Sequence, residues 1–358
     1  MKTVIVTGGA GFIGSAVVRQ LVEETNLRVV NVDALTYAAN LDSLGPARNS
    51  PRHVFEHVDV CDRDELERVF REHRPAAVLH LAAQTHVDRS IKDPGVFVAS
   101  NVDGTLNVLE ASRRHWERLD AEGRSGFRLL HVSTDEVYGD LGRDRPAMAE
   151  GAPYAPSSPY AASKAAADHL VRAWSRTFDL PVVIAVCCNN YGPCQHPEKL
   201  IPLVVLNAVE GKPLPLYGTG ENVRDWLFVE DHARALRMLL EAGRPGQTYH
   251  VAAHEERTNL EVVTEICMLL DELAPREAGR HTELIRFVAD RPGHDFRYDL
   301  DDSRMRDEIG WRPRETFRSG LRKTVRWYLD HPEWVQAVRN AEYRRWMAAQ
   351  YQDGEAGG

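Results

Sequence analysis

Val4-Ile5-Val6-Thr7-Gly8-Gly9-Ala10-Gly11-Phe12-Ile13-Gly14 runs from an apolar triplet through a G-x-x-G-x-x-G turn into an amphipathic stretch at about 12–24. Such a triplet reads as a buried strand. The glycines permit a tight turn whose backbone can approach a pyrophosphate at the N-terminus of the following helix. The spacing is a variant of the dinucleotide fingerprint, and Gly8, Gly11, Phe12, Ile13 and Gly14 are its candidate cofactor contacts. Asp33 stands 19 residues beyond Gly14, at the end of the run Val29-Val30-Asn31-Val32, where a carboxylate accepts from a ribose 2′-hydroxyl. Ala34 follows with no arginine beside it, so a 2′-phosphate meets repulsion, and NAD is expected over NADP.

Outward from this turn, apolar runs alternate with amphipathic ones. Val54–Val58, Ala77–Leu81, Leu129–Val132 and Val182–Val186 continue the strand pattern. Helical periodicity appears at about 62–73, 95–116 and 158–178. The order predicts an α/β fold: a Rossmann-type doubly wound parallel sheet with a smaller C-terminal α/β substrate-binding domain. The expected bounds are 1–188 for the cofactor domain with the catalytic residues, 189–345 mainly for the substrate domain, with some chain returning to the first, and 346–358 for a tail. Beyond Asn189-Asn190-Tyr191-Gly192-Pro193 the spacing turns irregular, with prolines at 197–215, so shorter elements are expected there. Asp59 and Val60 end the third strand near the adenine, and Leu81-Ala82-Ala83 end the fourth beneath the nicotinamide half.

The chain has 358 residues, 43% hydrophobic and 27% charged, as soluble globular enzymes do. A net charge of -9 argues against nucleic acid or an anionic membrane as a general partner. No apolar run reaches 18 residues and Met1-Lys2 leads straight into a strand, so a cytoplasmic protein is expected. Cys61, Cys187, Cys188, Cys194 and Cys267 form no C-x-x-C pair and read as reduced thiols. Cys187-Cys188 end a strand, where packing and a cleft-lining role are both open. His53 and His57 have metal-like spacing without a third ligand nearby, so no metal is expected.

Thr134-Asp135-Glu136 follows the strand Leu129–Val132, and Tyr160-Ala-Ala-Ser-Lys164 lies 24 residues beyond Glu136. Tyr and Lys at i and i+4 share a helix face, so the ammonium is expected to lower the proton affinity of the phenol and make it a usable base. Two carboxyls at a strand end can move protons on carbons the tyrosine does not reach.

Thr7–Gly14, Leu81-Ala82-Ala83 and Tyr-x-x-x-Lys together resemble the extended short-chain dehydrogenase/reductase superfamily. Within it, His131–Gly139, His86–Ser90, Asn189–Pro193, Pro197–Pro202, Arg224-Asp225-Trp226 and Asp290–Asp295 resemble the dTDP-glucose 4,6-dehydratases, from about residue 1 to about 345. The resemblance implies a tightly held, recycled NAD. Tyr160 takes the proton of the hexose 4-hydroxyl as C4 gives up its hydride, and Thr134 hydrogen-bonds that oxygen. Glu136 then removes the C5 proton while Asp135 protonates the departing 6-hydroxyl, and hydride returns to C6. Ser100 and Asn190 are implied as cofactor contacts, with Tyr160 and Lys164.

For the substrate, the resemblance implies contacts from Thr85, Thr134, Asn189, Lys199, Leu200, Asn259 and His294. Arg224 and Arg291 are implied for the diphosphate, and Pro215 and Tyr217 for the base. Superfamily members pair as dimers through a four-helix bundle, here the stretches near 97–116 and 159–178, so a homodimer is expected. The chain departs from the family at Gln84, where a glutamate is usual, and at Ala34, where a lysine often stands. The reading leaves open another nucleoside diphosphate hexose, and an epimerase or decarboxylase of the same superfamily.

Overall fold

The computed structural model describes residues 1–339 and Tyr343. The apolar runs form strands β1 (Thr3–Thr7), β2 (Arg28–Asp33), β3 (His53–His57), β4 (Ala77–His80), β5 (Arg128–Thr134) and β6 (Val182–Cys187). Helices Phe12–Glu24, Arg63–His73, Gly104–Glu117 and Pro159–Phe178 connect them. After these come β7 (Asn189–Tyr191), β8 (Leu214–Tyr217), β9 (Val223–Phe228), β10 (Thr248–Val251), β11 (Glu256–Thr258) and β12 (Ile285–Val288). A seven-stranded parallel sheet has the order β10-β6-β5-β4-β1-β2-β3. Strand order reverses between β1 and β4, which opens a crevice at their carboxyl ends. The alternation and doubly wound class read from the sequence are those of the structure.

Among the described residues lie two large apolar cores and a small cluster of Val87, Phe97 and Tyr160. The larger holds Ile5, Val30, Leu79, Leu129 and Ile184 from the sheet together with Leu236, Tyr249, Met305 and Trp311 from much later in sequence. The smaller joins Tyr191, Val204, Leu214, Trp226, Ile266, Phe317 and Leu321 around the β11-β9-β7 sheet and the β12-β8 pair. Residues beyond 188 thus serve both cores: β10 pairs with β6, and helix Val229–Ala242 packs on helix Phe12–Glu24.

The structure corrects two expectations. The single helix expected at 95–116 is helix Pro94–Val98, a π-helical turn Ala99–Asp103 and helix Gly104–Glu117, preceded by a separate helix Val87–Lys92. The turn holds Asn101 fully buried, where its side chain bonds Gln84 N at 2.8 Å, Gln84 O at 3.0 Å and Ser163 Oγ at 2.8 Å. A wide turn re-aims one side chain without ending the helix, which periodicity alone does not reveal. Beyond residue 193 the elements are not uniformly short: Asn259–Leu273 has 15 residues and Phe317–Asp330 has 14, each opened by a capping box. The tail 346–358 lies outside the described residues.

Asp231 ties the later chain to this frame. Buried at 4% exposure, its Oδ2 accepts from the amides of Arg314 at 2.9 Å and Glu315 at 2.8 Å, and its Oδ1 from Arg234 at 3.1 Å. Asp231→Ala takes the acceptor from two part-buried amides and a guanidinium, and is expected to cost about 2 kcal/mol in urea unfolding. A loss below about 1 kcal/mol is the contrary outcome.

Candidate active site

Gly8 has φ +72°, and a Cβ there would sit 2.7 Å from Ala82 N; a Cβ on Gly14 would sit 2.0 Å from Gly8 O. Both glycines therefore let β1, the turn and the β4 end approach more closely than any side chain allows. Gly11 caps helix Phe12–Glu24 without a side-chain hydrogen bond, so the helix N-terminus turns its amides toward the crevice. Asp33, at the end of β2, accepts from Ala10 N at 2.9 Å and Leu35 N at 2.8 Å, which fixes its carboxylate beside the turn. Burial raises its pKa above the usual carboxylate value. One cleft brings these residues together with Asp59, Val60, Leu81, Ala82, Ala83 and Ser100 and continues to Thr134, Asp135, Glu136, Tyr160 and Lys164. A cradle sealed by missing Cβ atoms, a helix N-terminus and a fixed carboxylate are what a dinucleotide requires, so the residues present fit NAD.

At the end of β5, Thr134 caps a short 3-10 turn, Asp135–Tyr138, and its hydroxyl donates to Asp135 Oδ1 at 3.2 Å. Ser158 caps helix Pro159–Phe178, which points Tyr160 and Lys164 at the same strand end. Lys164 Nζ donates to Val132 O at 2.8 Å. Asp135 is 3% exposed; burial, and then the charge of Glu136, push its carboxyl up to about 8. Glu136 is half-buried and also raised by burial, but Arg291, Arg224 and Lys199 oppose the rise. The two neighbouring carboxyls therefore meet different electrostatic surroundings.

The expected lowering of Tyr160 by Lys164 is not found. Burial, followed by the Glu136 charge, raises the phenol well above its ordinary value, and Thr134 is what pulls it down by a hydrogen bond. Burial also disfavours the Lys164 ammonium, lowering its pKa.

Of the residues implied for substrate, Thr85, Thr134, Asn189 and Lys199 line the cleft, and Asn189 Oδ1 is buried without a hydrogen-bond partner among the described residues. Leu200, Pro215, Tyr217, Arg224, Asn259, Arg291 and His294 are outside that lining, and Arg291 Nη1 lies 3.5 Å from Asp88 Oδ1. Pro215 and Tyr217 lie on β8 against β12, and the Tyr217 and His294 rings meet edge-on at 6.2 Å. Arg224 is 5% exposed, with both terminal nitrogens donating to the carbonyls of Val223, Phe296 and Asp295. Asn190 lines the cleft, yet its side chain bonds Cys188 O at 2.9 Å and His232 Nδ1 at 2.9 Å. These bonds fix the orientation of its amide at the edge of the cleft.

Both Cys187 and Cys188 line the cleft, and all five cysteines are free. Sequence reasoning missed Tyr37 and Glu198. Tyr37 O–H donates to Glu198 Oε1 at 2.8 Å, Arg89 Nε donates to Glu198 Oε2 at 3.2 Å, and Arg89 covers the Tyr37 ring at 3.7 Å. The Pro197–Pro202 motif already contained Glu198, but nothing local pairs it with residues 37 and 89.

Comparison with known proteins agrees with this geometry. The family described as GDP-mannose 4,6 dehydratase matches residues 5–324. A dTDP-glucose 4,6-dehydratase of Neisseria meningitidis is 58% identical over 96% of this chain and 98% of its own length. That of Escherichia coli K12 is 53% identical over 98% and 99%. The chain belongs to the dTDP-glucose 4,6-dehydratase family. The crystal structure of the Streptomyces venezuelae dTDP-glucose 4,6-dehydratase with NAD and TYD bound has a TM-score of 0.84 at 44% identity, covering 94% of this chain and 99% of that one.

In this dehydratase-family chain, the raised Asp135 carboxyl has a stability consequence. Its folded pKa of about 8 exceeds its unfolded value, so the folded state holds a proton the unfolded state lacks between roughly pH 4 and 8. Stability from this group is intact below pH 4 and falls as pH rises to about 8. Asp135→Asn is expected to stabilise the ligand-free protein by on the order of 3 kcal/mol at pH 8 and by little at pH 4, read by urea unfolding. Parallel stability curves for the two proteins count against the raised carboxyl.

Proposed function

We propose that this chain dehydrates dTDP-glucose to dTDP-4-keto-6-deoxyglucose with NAD as a recycled cofactor, as a step of deoxysugar biosynthesis. The observation that carries the reading is the adjacent pair at the end of β5 in the cleft, Asp135 buried at 3% exposure and Glu136 half-buried; burial raises the Asp135 carboxyl to about 8. An epimerase of the superfamily needs no such acid, whereas elimination of water needs an acid and a base together. Curated relatives with this activity at 53–58% identity support the same substrate.

The glycine turn, Asp33, Asp59, Val60, Ala82 and Ser100 would hold NAD, which supplies a hydride acceptor for C4 and a donor for C6. Tyr160 receives the 4-hydroxyl proton at its phenolic oxygen, with Thr134 hydrogen-bonded there and the Lys164 ammonium behind it. Burial opposes loss of that proton, and the Thr134 hydrogen bond favours it. Glu136 then takes the C5 proton, and Asp135 gives its own to the 6-hydroxyl, which leaves as water. Arg291, whose Nε is buried without a partner among the described residues, and Arg224, which three carbonyls hold in place, are the diphosphate ligands. Pro215 and Tyr217 hold the base, with Leu200, Asn259 and His294 completing that side.

The same reading takes 1–188 with its returning segments as the cofactor domain and the remainder as the substrate domain, in a cytoplasmic homodimer. Val96 and Val98, 45% and 51% exposed at the start of the bundle stretch, support pairing there.

Incubation with dTDP-glucose is expected to give a 4-keto product visible by its alkaline absorbance. Formation of dTDP-galactose instead, or no turnover, defeats the reading. Glu136→Gln is expected to slow turnover by about 100-fold or more while NADH accumulates from the first oxidation. An unchanged rate removes Glu136 from the base role.

A further inference from the structure

The proton and hydride moves leave unused a buried carboxylate one helical turn beyond Lys164. Asp168 is 0% exposed and lies one turn further along helix Pro159–Phe178, so Tyr160, Lys164 and Asp168 follow at i, i+4 and i+8 on one face. Three consecutive residues of β5 meet this face. Val132 O accepts from Lys164 Nζ at 2.8 Å, Ser133 Oγ donates to Asp168 Oδ2 at 2.8 Å, and His131 Nε2 lies 3.1 Å from Asp168 Oδ1. From the loop before the helix, the Tyr154 hydroxyl donates to Oδ2 at 2.7 Å and itself accepts from Arg172 Nη2 at 2.6 Å.

Neutral donors satisfy a buried carboxylate's oxygens but leave its charge, and an unpaired buried charge is costly. The histidines, tyrosines and thiol facing this space do not supply the counter-charge. Burial pushes His131 down to about 4 and His80, 5.3 Å from it, well below its ordinary value, so both rings are neutral near pH 7. Burial pushes Tyr138 and Tyr154 up, and Cys187 on β6 up to about 12, so these keep their protons. Arg172 reaches Asp168 through the Tyr154 hydroxyl, on the side of the carboxylate away from the reactive phenol. The Lys164 ammonium lies one helical turn before Asp168 on the same face, between it and Tyr160.

We propose that Asp168 is a positioning residue of the active site, its buried carboxylate supplying the counter-charge that keeps Lys164 an ammonium behind Tyr160. Burial alone drives Lys164 toward the neutral amine, and Asp168 is the largest opposing influence. Asp168 in turn stays ionised, below the usual carboxylate range, because its donors outweigh burial. The role rests on the proposed reading in which Lys164 acts as a cation.

Two experiments test it. In Asp168→Asn, Lys164 loses its proton at lower pH. The alkaline limb of kcat is expected to move down by about one pH unit or more, with kcat at pH 8 reduced about 10-fold or more and KM within about twofold. Tyr154→Phe, which removes a donor but no charge from the pair, leaves the limb in place. A limb unmoved in Asp168→Asn, or moved equally in Tyr154→Phe, overturns the proposal. Unfolding needs no turnover: Asp168→Asn and Lys164→Met each leave one buried charge unpaired, so the double variant is expected to be more stable than the sum of the single losses. Should Asp168→Asn fail to fold alone, the double variant is still expected to fold. Additive losses, or a double variant that also fails to fold, overturn the pairing. Failure of the wild-type protein to turn over dTDP-glucose defeats the reaction reading instead, and leaves the unfolding cycle to decide Asp168.

Discussion

Burial of charge at the carboxyl end of β5 is the constraint on which the reactive half of this molecule depends. A parallel sheet covered on both faces leaves its strand ends dry, and each ionisable group there must lose its charge or find a partner. Three carboxyls within reach of β5 resolve that cost differently. Asp135 keeps its proton, pushed up to about 8. Glu136 lies in the combined field of Arg291, Arg224 and Lys199. Asp168 stays ionised among His131, Ser133 and Tyr154 donors. One physical cost has three outcomes because the neighbours differ.

Those neighbours come from distant parts of the chain. Arg224 is on β9 and Arg291 follows β12. The larger core, in turn, recruits β10, helix Val229–Ala242 and Trp311 from the same C-terminal region. Asp231, which grips the amides of Arg314 and Glu315, joins the two parts of the chain. The cleft is then a product of both: its floor is the switch point of the large sheet, and its far wall includes Asn189, Glu198 and Lys199 from the crossing.

The parts legible in the sequence are those governed by local rules. Strand runs, helix periods, the glycine turn and the Tyr-x-x-x-Lys spacing each depend on residues a few positions apart, and the structure reproduces helix Phe12–Glu24 and the order β1 to β6. The π-helical turn at Ala99–Asp103 was not legible, because Asn101 makes it to reach Gln84 and Ser163. The C-terminal helices were masked by the prolines and mixed spacing around them, although Thr258 and Glu261 already formed a capping signal. The partners that orient Asn190, His232 and Cys188 O, were not legible either, since His232 lies 42 residues away.

The sequence by itself determined which groups stand together on one element: a nucleotide turn, two adjacent carboxyls, a tyrosine and a lysine one helical turn apart. Their states of charge were settled only by tertiary structure. Lys164 beside Tyr160 suggested an acidified phenol, yet the folded chain raises the phenol and lowers the lysine. A proton's affinity depends on the water excluded and on every charge nearby, whatever its place in sequence. Spacing along a helix names the participants, and only the packed molecule sets which of them carries the proton.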